Sequence, residues 1–259
     1  MSRIRKQPGR AGRAVLRAML ALCLLGALVL GGFAWFHVKP LMQAEGVYTG
    51  LRRAYFDEGA ASPDWAALQA RYPDIVGWLS APDIGVDYPV VQGGDNSYYL
   101  SHLPDGAYNA VGSVFMDAEN TPDLTDPLTV LYGHHVGGGK MFSPLVNYRK
   151  GEFYAQHPTM TYYTSEKEYI VEIFAAHEAD GQEGAFLWEY AGADEAGQAE
   201  WLARLAARSD VAGRAAPQAG DRLLALVTCS SLGENAPRYI VYGVLREAAA
   251  ATGGAHENG

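Results

Sequence analysis

Cysteine is scarce in this 259-residue chain, and acid is missing altogether from its first 39 positions. Only Cys23 and Cys229 are present, too few for a disulfide-stapled scaffold or a four-thiolate zinc centre. The first 39 residues carry Arg3, Arg5, Lys6, Arg10, Arg13, Arg17 and Lys39 with no carboxylate among them. The remainder therefore holds 13 basic residues against all 29 acids, a formal charge of −16. So acidic a body repels nucleic acid, and no basic aromatic patch interrupts it. A phosphate loop is also lacking. In "HHVGGGKM" His134 stands where the first glycine of GxxxxGK[ST] belongs, and Met141 follows Lys140. Internal repeats and clustered acidic calcium loops are absent, and His134 and His135, adjacent on a strand, point to opposite faces and make a poor metal site. No metal or cofactor is implied.

Charge disappears again between Ala18 and Val38, a run of 21 residues. At about 1.5 Å per residue this crosses a hydrocarbon core of roughly 30 Å. Basic side chains precede it, which orients the N-terminus to the cytoplasm and residue 40 onward outside. Trp35, Phe36 and Lys39 read as interfacial anchors rather than a small-residue cleavage site, and Leu22 stands before Cys23 where a lipoprotein needs a small residue. The expected layout is a basic cytoplasmic segment (1–17), a retained single-pass anchor (18–38), a helical segment (39–73), a β-barrel domain (74–246) and a flexible tail (247–259). Cys23 in the span and Cys229 outside do not pair. Cys229 is then either a small buried hydrophobe or a reactive thiol.

After the anchor, 41–57 reads as helix, and Ser62-Pro63-Asp64 starts another that runs to Arg71. Short apolar, β-branched runs follow at 83–91, 112–117, 128–134, 159–164, 168–176, 221–229 and 238–245. They predict a mostly β fold, a closed antiparallel barrel of about eight strands. Residues 194–208 break the pattern with a capping Asp194 and Trp201, Leu202 and Leu205 at helical spacing, a helix inserted before the cysteine strand.

A cysteine nucleophile needs a basic or cationic partner and a group that stabilises an oxyanion. Of the seven histidines, His37 borders the anchor, His256 lies in the tail, and His157 and His177 read as loop or cap residues. His134 and His135 end an apolar strand against a glycine turn, where a side chain is presented at a barrel rim. The eight-residue loop between Cys229 and Arg238 lets both reach one groove if their strands are neighbours. A guanidinium there donates to a carbonyl without losing its charge.

Together with the N-terminal anchor, "DIVGWL" (74–79), "DYPVVQGGDNSYYLSH" (87–102), "GSVFMD" (112–117), "YGHHVGGGKMF" (132–142), "YRKGEFYAQHPTMTYYT" (148–164), "LVTC" and "RYIVYGVL" resemble the sortases, cysteine transpeptidases of Gram-positive surfaces, and class B in particular. The resemblance implies Cys229 as nucleophile, His134 as acid/base and Arg238 as stabiliser of the carbonyl and oxyanion, with His135 a bystander. It implies substrate contacts at Asn96 and Leu100, and at Val227, Thr228 and Ser230 around the cysteine. Here "ALVTC" replaces the family's usual "TLSTC", with Val227 where a serine often lines the groove, and Ser230 stands where an acid is usual. The implied partners are secreted proteins bearing an NPxTN- or NPxTG-like C-terminal signal and a cell-wall precursor amine. A pilin lysine is the alternative acceptor, and a silent surface scaffold the non-enzymatic reading. A papain-like peptidase fits less well, since His134 precedes Cys229 by 95 residues.

Overall fold

The computed structural model describes residues 10–56, 62–179, 183–229 and 237–248. The chain divides into two units, Met1–Glu45 and Gly46–Gly259, each taken by itself. The first consists of helix from residue 10, part of α1 (Arg10–Tyr55). Between Ala14 and Tyr55 this helix is long and apolar enough to cross a membrane, and its apolar window is unburied. Separate helices over 18–38 and 41–57 were expected, but α1 has Pro40 inside it. Proline removes one N–H, and the helix formers Leu41, Met42, Gln43 and Ala44 that follow sustain the winding.

In the second unit the chain forms α2 (Trp65–Arg71), β1 (Ile75–Ala81), β2 (Val86–Val91), β3 (Val114–Met116), β4 (Leu128–Val136) and β5 (Lys140–Met141). Then come α3 (Gly151–Gln156), β6 (Thr159–Tyr163), β7 (Glu168–Ala179), α4 (Glu183–Gly192), α5 (Glu195–Arg208), β8 (Leu223–Cys229) and β9 (Arg238–Glu247). The strands run β3-β2-β1-β6-β7-β9-β8-β4, and a β3–β4 pairing closes them into an eight-stranded barrel, with β5 folded back on β4. The sheet is not wholly antiparallel as expected: β2–β3 and β4–β8 pair parallel. Parallel neighbours need long crossovers, and the segments from 92 to 113 and from 137 to 222 supply them.

Local chemistry explains the other departures. The expected strand over 83–91 starts only at Val86, because Pro82–Ile84 turns as a 3-10 helix and Gly85 takes the left-handed conformation (φ 79°). β1, outside the seven expected runs, pairs with both β2 and β6. The cap of α2 is Asp64, which accepts from the Ala67 N–H at 3.1 Å, so Pro63 precedes the cap instead of opening the helix. Asp194 caps α5 as expected, accepting from Gly197 N–H at 2.9 Å.

Two apolar clusters flank the barrel strands. One joins Leu128 and Val130 of β4, Leu223, Ala225 and Val227 of β8, and Ile240, Tyr242 and Val244 of β9 to α4 and α5. Leu224 and Leu226, pointing the other way, are buried too, so β8 reads as an unbroken apolar run without alternation. α4 was unanticipated, and it contributes Leu187 and Tyr190 to this cluster. The second cluster packs Leu51 of α1 and Leu68 of α2 on Ile75, Trp78, Val91, Tyr99 and Phe115. Arg52 and the Trp78 indole N–H both donate to Asp87 at 2.7 Å, fixing the end of α1 on β1 and β2. Tyr132 of β4 packs against both clusters.

Trp201 anchors the α5 side. It is fully buried, lies 5.0–5.7 Å from the rings of Phe186, Tyr190 and Tyr242, and its indole N–H donates to the Phe186 carbonyl at 2.8 Å. Trp201→Ala is expected to lower unfolding free energy by about 3–5 kcal/mol, measured by urea denaturation followed by circular dichroism.

Candidate active site

β4 and β8 run side by side in parallel register from Leu128↔Leu223 to His134↔Cys229. Register partners in a ladder are nearest cross-strand neighbours, so His134 and Cys229 stand together where the two strands end. β8 and β9 pair antiparallel as far as Val227↔Ile240. The same register carried two residues on sets position 229 opposite 238, and Arg238 is the exposed first residue of β9. His134, Cys229 and Arg238 thus form a row across three adjacent strands.

Thr228 helps hold that row. It is buried, and its hydroxyl accepts from the Tyr239 N–H at 2.7 Å and donates to the Tyr239 carbonyl at 3.1 Å. A side chain therefore replaces the backbone ladder just where β8 and β9 begin to part. On the far side of β4, Gly133 leaves room for Phe142: a Cβ there would lie 2.6 Å from its ring. Phe142 N–H in turn donates to the His134 carbonyl at 3.0 Å.

The His134 imidazole is half-buried. Its Nε2 lies 2.6 Å from the Leu100 carbonyl oxygen. A carbonyl only accepts, so Nε2 carries the hydrogen whether the ring is neutral or protonated. Nδ1 is the nitrogen free to gain or lose a proton, and it is buried without a hydrogen-bond partner among the described residues.

The loop from Asn96 to Leu100 makes the facing wall. The Asp95 carboxylate accepts from the hydroxyl and N–H of Ser97 and the N–H of Tyr98, bonds that hold its pKa below the ordinary carboxylate value. Tyr99 turns inward, donating to Asp74 at 2.6 Å. Burial, reinforced by that bond and the Asp74 charge, pushes its phenol pKa up and keeps it a donor. Asn96 spans to Asp117, its Nδ2 donating to Oδ2 at 3.0 Å while its Oδ1 accepts the Ala118 N–H at 2.8 Å.

Of the expected contacts, Leu100 reaches His134 through its carbonyl, whereas both ends of the Asn96 amide bind Asp117 and Ala118. Val227 is packed in the α4–α5 cluster and Thr228 is committed to Tyr239. Ser230 lies outside the described residues. His135 pairs with Met141 across the glycine turn, His102 stacks on Tyr98, and His177 is buried on β7. Among the described residues no group of three His, Cys, Asp or Glu side chains is arranged to hold a metal ion. Sequence reasoning missed Tyr132 and Asp117, joined by a 2.9 Å hydrogen bond beside the Asn96 contact. The available signal was a carboxylate closing the apolar run "SVFMD".

A family model described as "Sortase domain" matches residues 79–246. Sortase B of Listeria monocytogenes is 38% identical over 138 residues, covering 53% of this chain and 56% of the relative. Sortase B of Staphylococcus aureus is 28% identical over 179 residues, covering 69% and 72%. The chain thus spans little more than half the length of the first relative. Among solved structures, sortase B from B. anthracis in complex with AAEK1 superposes with a TM-score of 0.69 at 25% identity, covering 81% of this chain and 99% of that one.

The Thr228 clamp is testable apart from any chemistry. Thr228→Val keeps the side-chain shape and strands the Tyr239 N–H, so a stability loss of about 1–3 kcal/mol is expected. Thr228→Ser, which restores the hydroxyl, should recover most of it in thermal melts.

Proposed function

Because the chain belongs to the sortase family, we propose that residues 74–246 are a class B cysteine transpeptidase domain, tethered outside the cell by the span at 18–38. The basic segment 1–17 lies on the cytoplasmic side and 39–73 links span and barrel; the expected tail began at 247, but Glu247 still belongs to β9, and 249–259 lies outside the described residues. Orientation rests on the positive charge that precedes the span. The observation that carries the reading is the parallel β4–β8 register, which pairs His134 with Cys229 at the ends of their strands.

In this reading Cys229 is the nucleophile. Its proton resides on His134 Nδ1, since Nε2 is taken up by the Leu100 carbonyl, giving a thiolate–imidazolium pair. The thiolate attacks the threonine carbonyl of an NPxTN- or NPxTG-like signal near the C-terminus of a secreted protein. Negative charge develops on the carbonyl oxygen, and Arg238 donates to it. As the tetrahedral intermediate collapses, the C–N bond breaks and Nδ1–H passes its proton to the leaving amine. A thioester remains on Cys229. Neutral Nδ1 then takes a proton from the amine of a cell-wall precursor as that nitrogen attacks. The new amide forms as the C–S bond breaks, and the thiolate is released beside the imidazolium, restoring the starting pair. Asn96 and Leu100 form the wall along which the signal lies.

The test is intact-mass spectrometry of the full chain in detergent micelles with a panel of NPxTN- and NPxTG-type peptides. An acyl adduct is expected on the wild type, absent from Cys229→Ala, and released by an amine. Comparing a wall-precursor amine with a lysine-bearing pilin segment identifies the acceptor. Arg238→Lys should lose about 100-fold in turnover, because a point ammonium does not reproduce the planar fork. His135→Ala should remain near wild type while His134→Ala is inactive; equal damage from both would sink the assignment of His134.

A further inference from the structure

Asp117 follows β3 and is buried, with 3% of its surface exposed. Uncompensated, such a carboxylate is costly, yet no cation pairs with it among the described residues. Hydrogen-bond donors surround it instead. Oδ1 accepts the Glu119 N–H at 2.9 Å, and Oδ2 accepts both the Tyr132 hydroxyl at 2.9 Å and the Asn96 amide at 3.0 Å. All three incoming groups donate, which suits an ionised carboxylate, a pure acceptor. An asparagine of the same shape would turn an NH2 toward one of them.

The two groups on Oδ2 come from different sides of the site. Asn96 belongs to the loop that ends at Leu100, whereas Tyr132 lies on β4 two residues before His134, on the same face of the strand. One carboxylate oxygen therefore staples this loop to the strand that carries the histidine. The Leu100 carbonyl makes the second staple, directly onto His134 Nε2. Asp117 also sits firmly itself: its N–H donates to the Val130 carbonyl at 2.9 Å, and its own carbonyl accepts from the Gln92 amide at 2.8 Å.

We propose that Asp117 is a positioning residue for the Cys229–His134 pair. Its carboxylate holds the 96–100 loop at the distance where the Leu100 carbonyl engages Nε2, and so keeps Nδ1 as the nitrogen that exchanges protons with the thiol. This rests on the roles proposed above for Cys229 and His134. Asn96 acquires a second task, since both ends of its amide already bind protein. The Tyr99–Asp74 bond and the Ser113 N–H donating to the Tyr99 carbonyl at 2.9 Å are independent of Asp117. Losing Asp117 should thus loosen the loop rather than unfold it.

The experiment uses the full chain in micelles with Cys23→Ser, leaving Cys229 as the thiol that reacts. Alkylation by iodoacetamide is followed across pH, which needs no sorting peptide, alongside acyl-adduct formation. Asp117→Asn and Asn96→Ala are each expected to slow alkylation at neutral pH about tenfold, as for a lost hydrogen bond to a charged group, and to displace the profile to higher pH. The double variant should be no worse than either single one, because both break the same link. A wild-type profile in either variant, or losses that multiply in the double, overturns the proposal. Should Asp117→Asn fail to fold, Asn96→Ala, at an exposed position, carries the test. Displaced profiles without any acyl adduct would support the positioning role while overturning the peptide reading. Adducts with undisplaced profiles would do the reverse.

Discussion

The parallel pairing of β4 with β8 is the constraint on which the rest depends. Seven successive register partners, from Leu128↔Leu223 to His134↔Cys229, leave no freedom for a slip. A shift by one residue would turn Leu128 and Val130, or Leu223, Ala225 and Val227, away from the cluster beneath α4 and α5. Burying those side chains therefore fixes the chemistry at the far end of the ladder. The row of His134, Cys229 and Arg238 follows from hydrophobic registration several residues away.

The surroundings of that row serve two purposes. Thr228 and Gly133 shape the strand ends, one by lending its hydroxyl to Tyr239, the other by giving Phe142 room. The loop from Asn96 to Leu100 brings a carbonyl to His134 and thereby selects a tautomer. It is held from outside by Asp95, from below by Tyr99 on Asp74, and from the β4 side by Asp117. Most polar groups of this loop are bonded to protein, while Nδ1 of His134 has no partner among the described residues.

Much of the architecture was legible from local pattern. Apart from the two-residue β5, the strands from 128 onward declared themselves through β-branched and aromatic runs, and α5 through its cap and the spacing of Trp201, Leu202 and Leu205. β1 and α4 escaped because each is glycine-bearing and apolar on more than one side, so periodicity does not separate strand from helix there. The break at Gly85 and the capping by Asp64 hinge on single residues whose neighbours read equally well as continuous elements. Among site residues, Cys229, His134 and Arg238 stood out because their chemistry is uncommon at strand ends. Asp117 and Tyr132 did not, since a carboxylate and a phenol acquire meaning only from what they touch.

The sequence by itself determined the charge-free span, the acidic body, the candidate site residues and the family the chain belongs to, because these are properties of residue type and order along one chain. Only the tertiary structure decided that β4 and β8 pair in parallel, that Nε2 rather than Nδ1 of His134 is committed to a carbonyl, and that Val227 and Thr228 are both buried, on opposite faces of β8. Those facts depend on partners 11 to 95 positions distant. Their selection came from burying apolar faces and satisfying buried polar groups across the whole barrel, which no local stretch of sequence encodes.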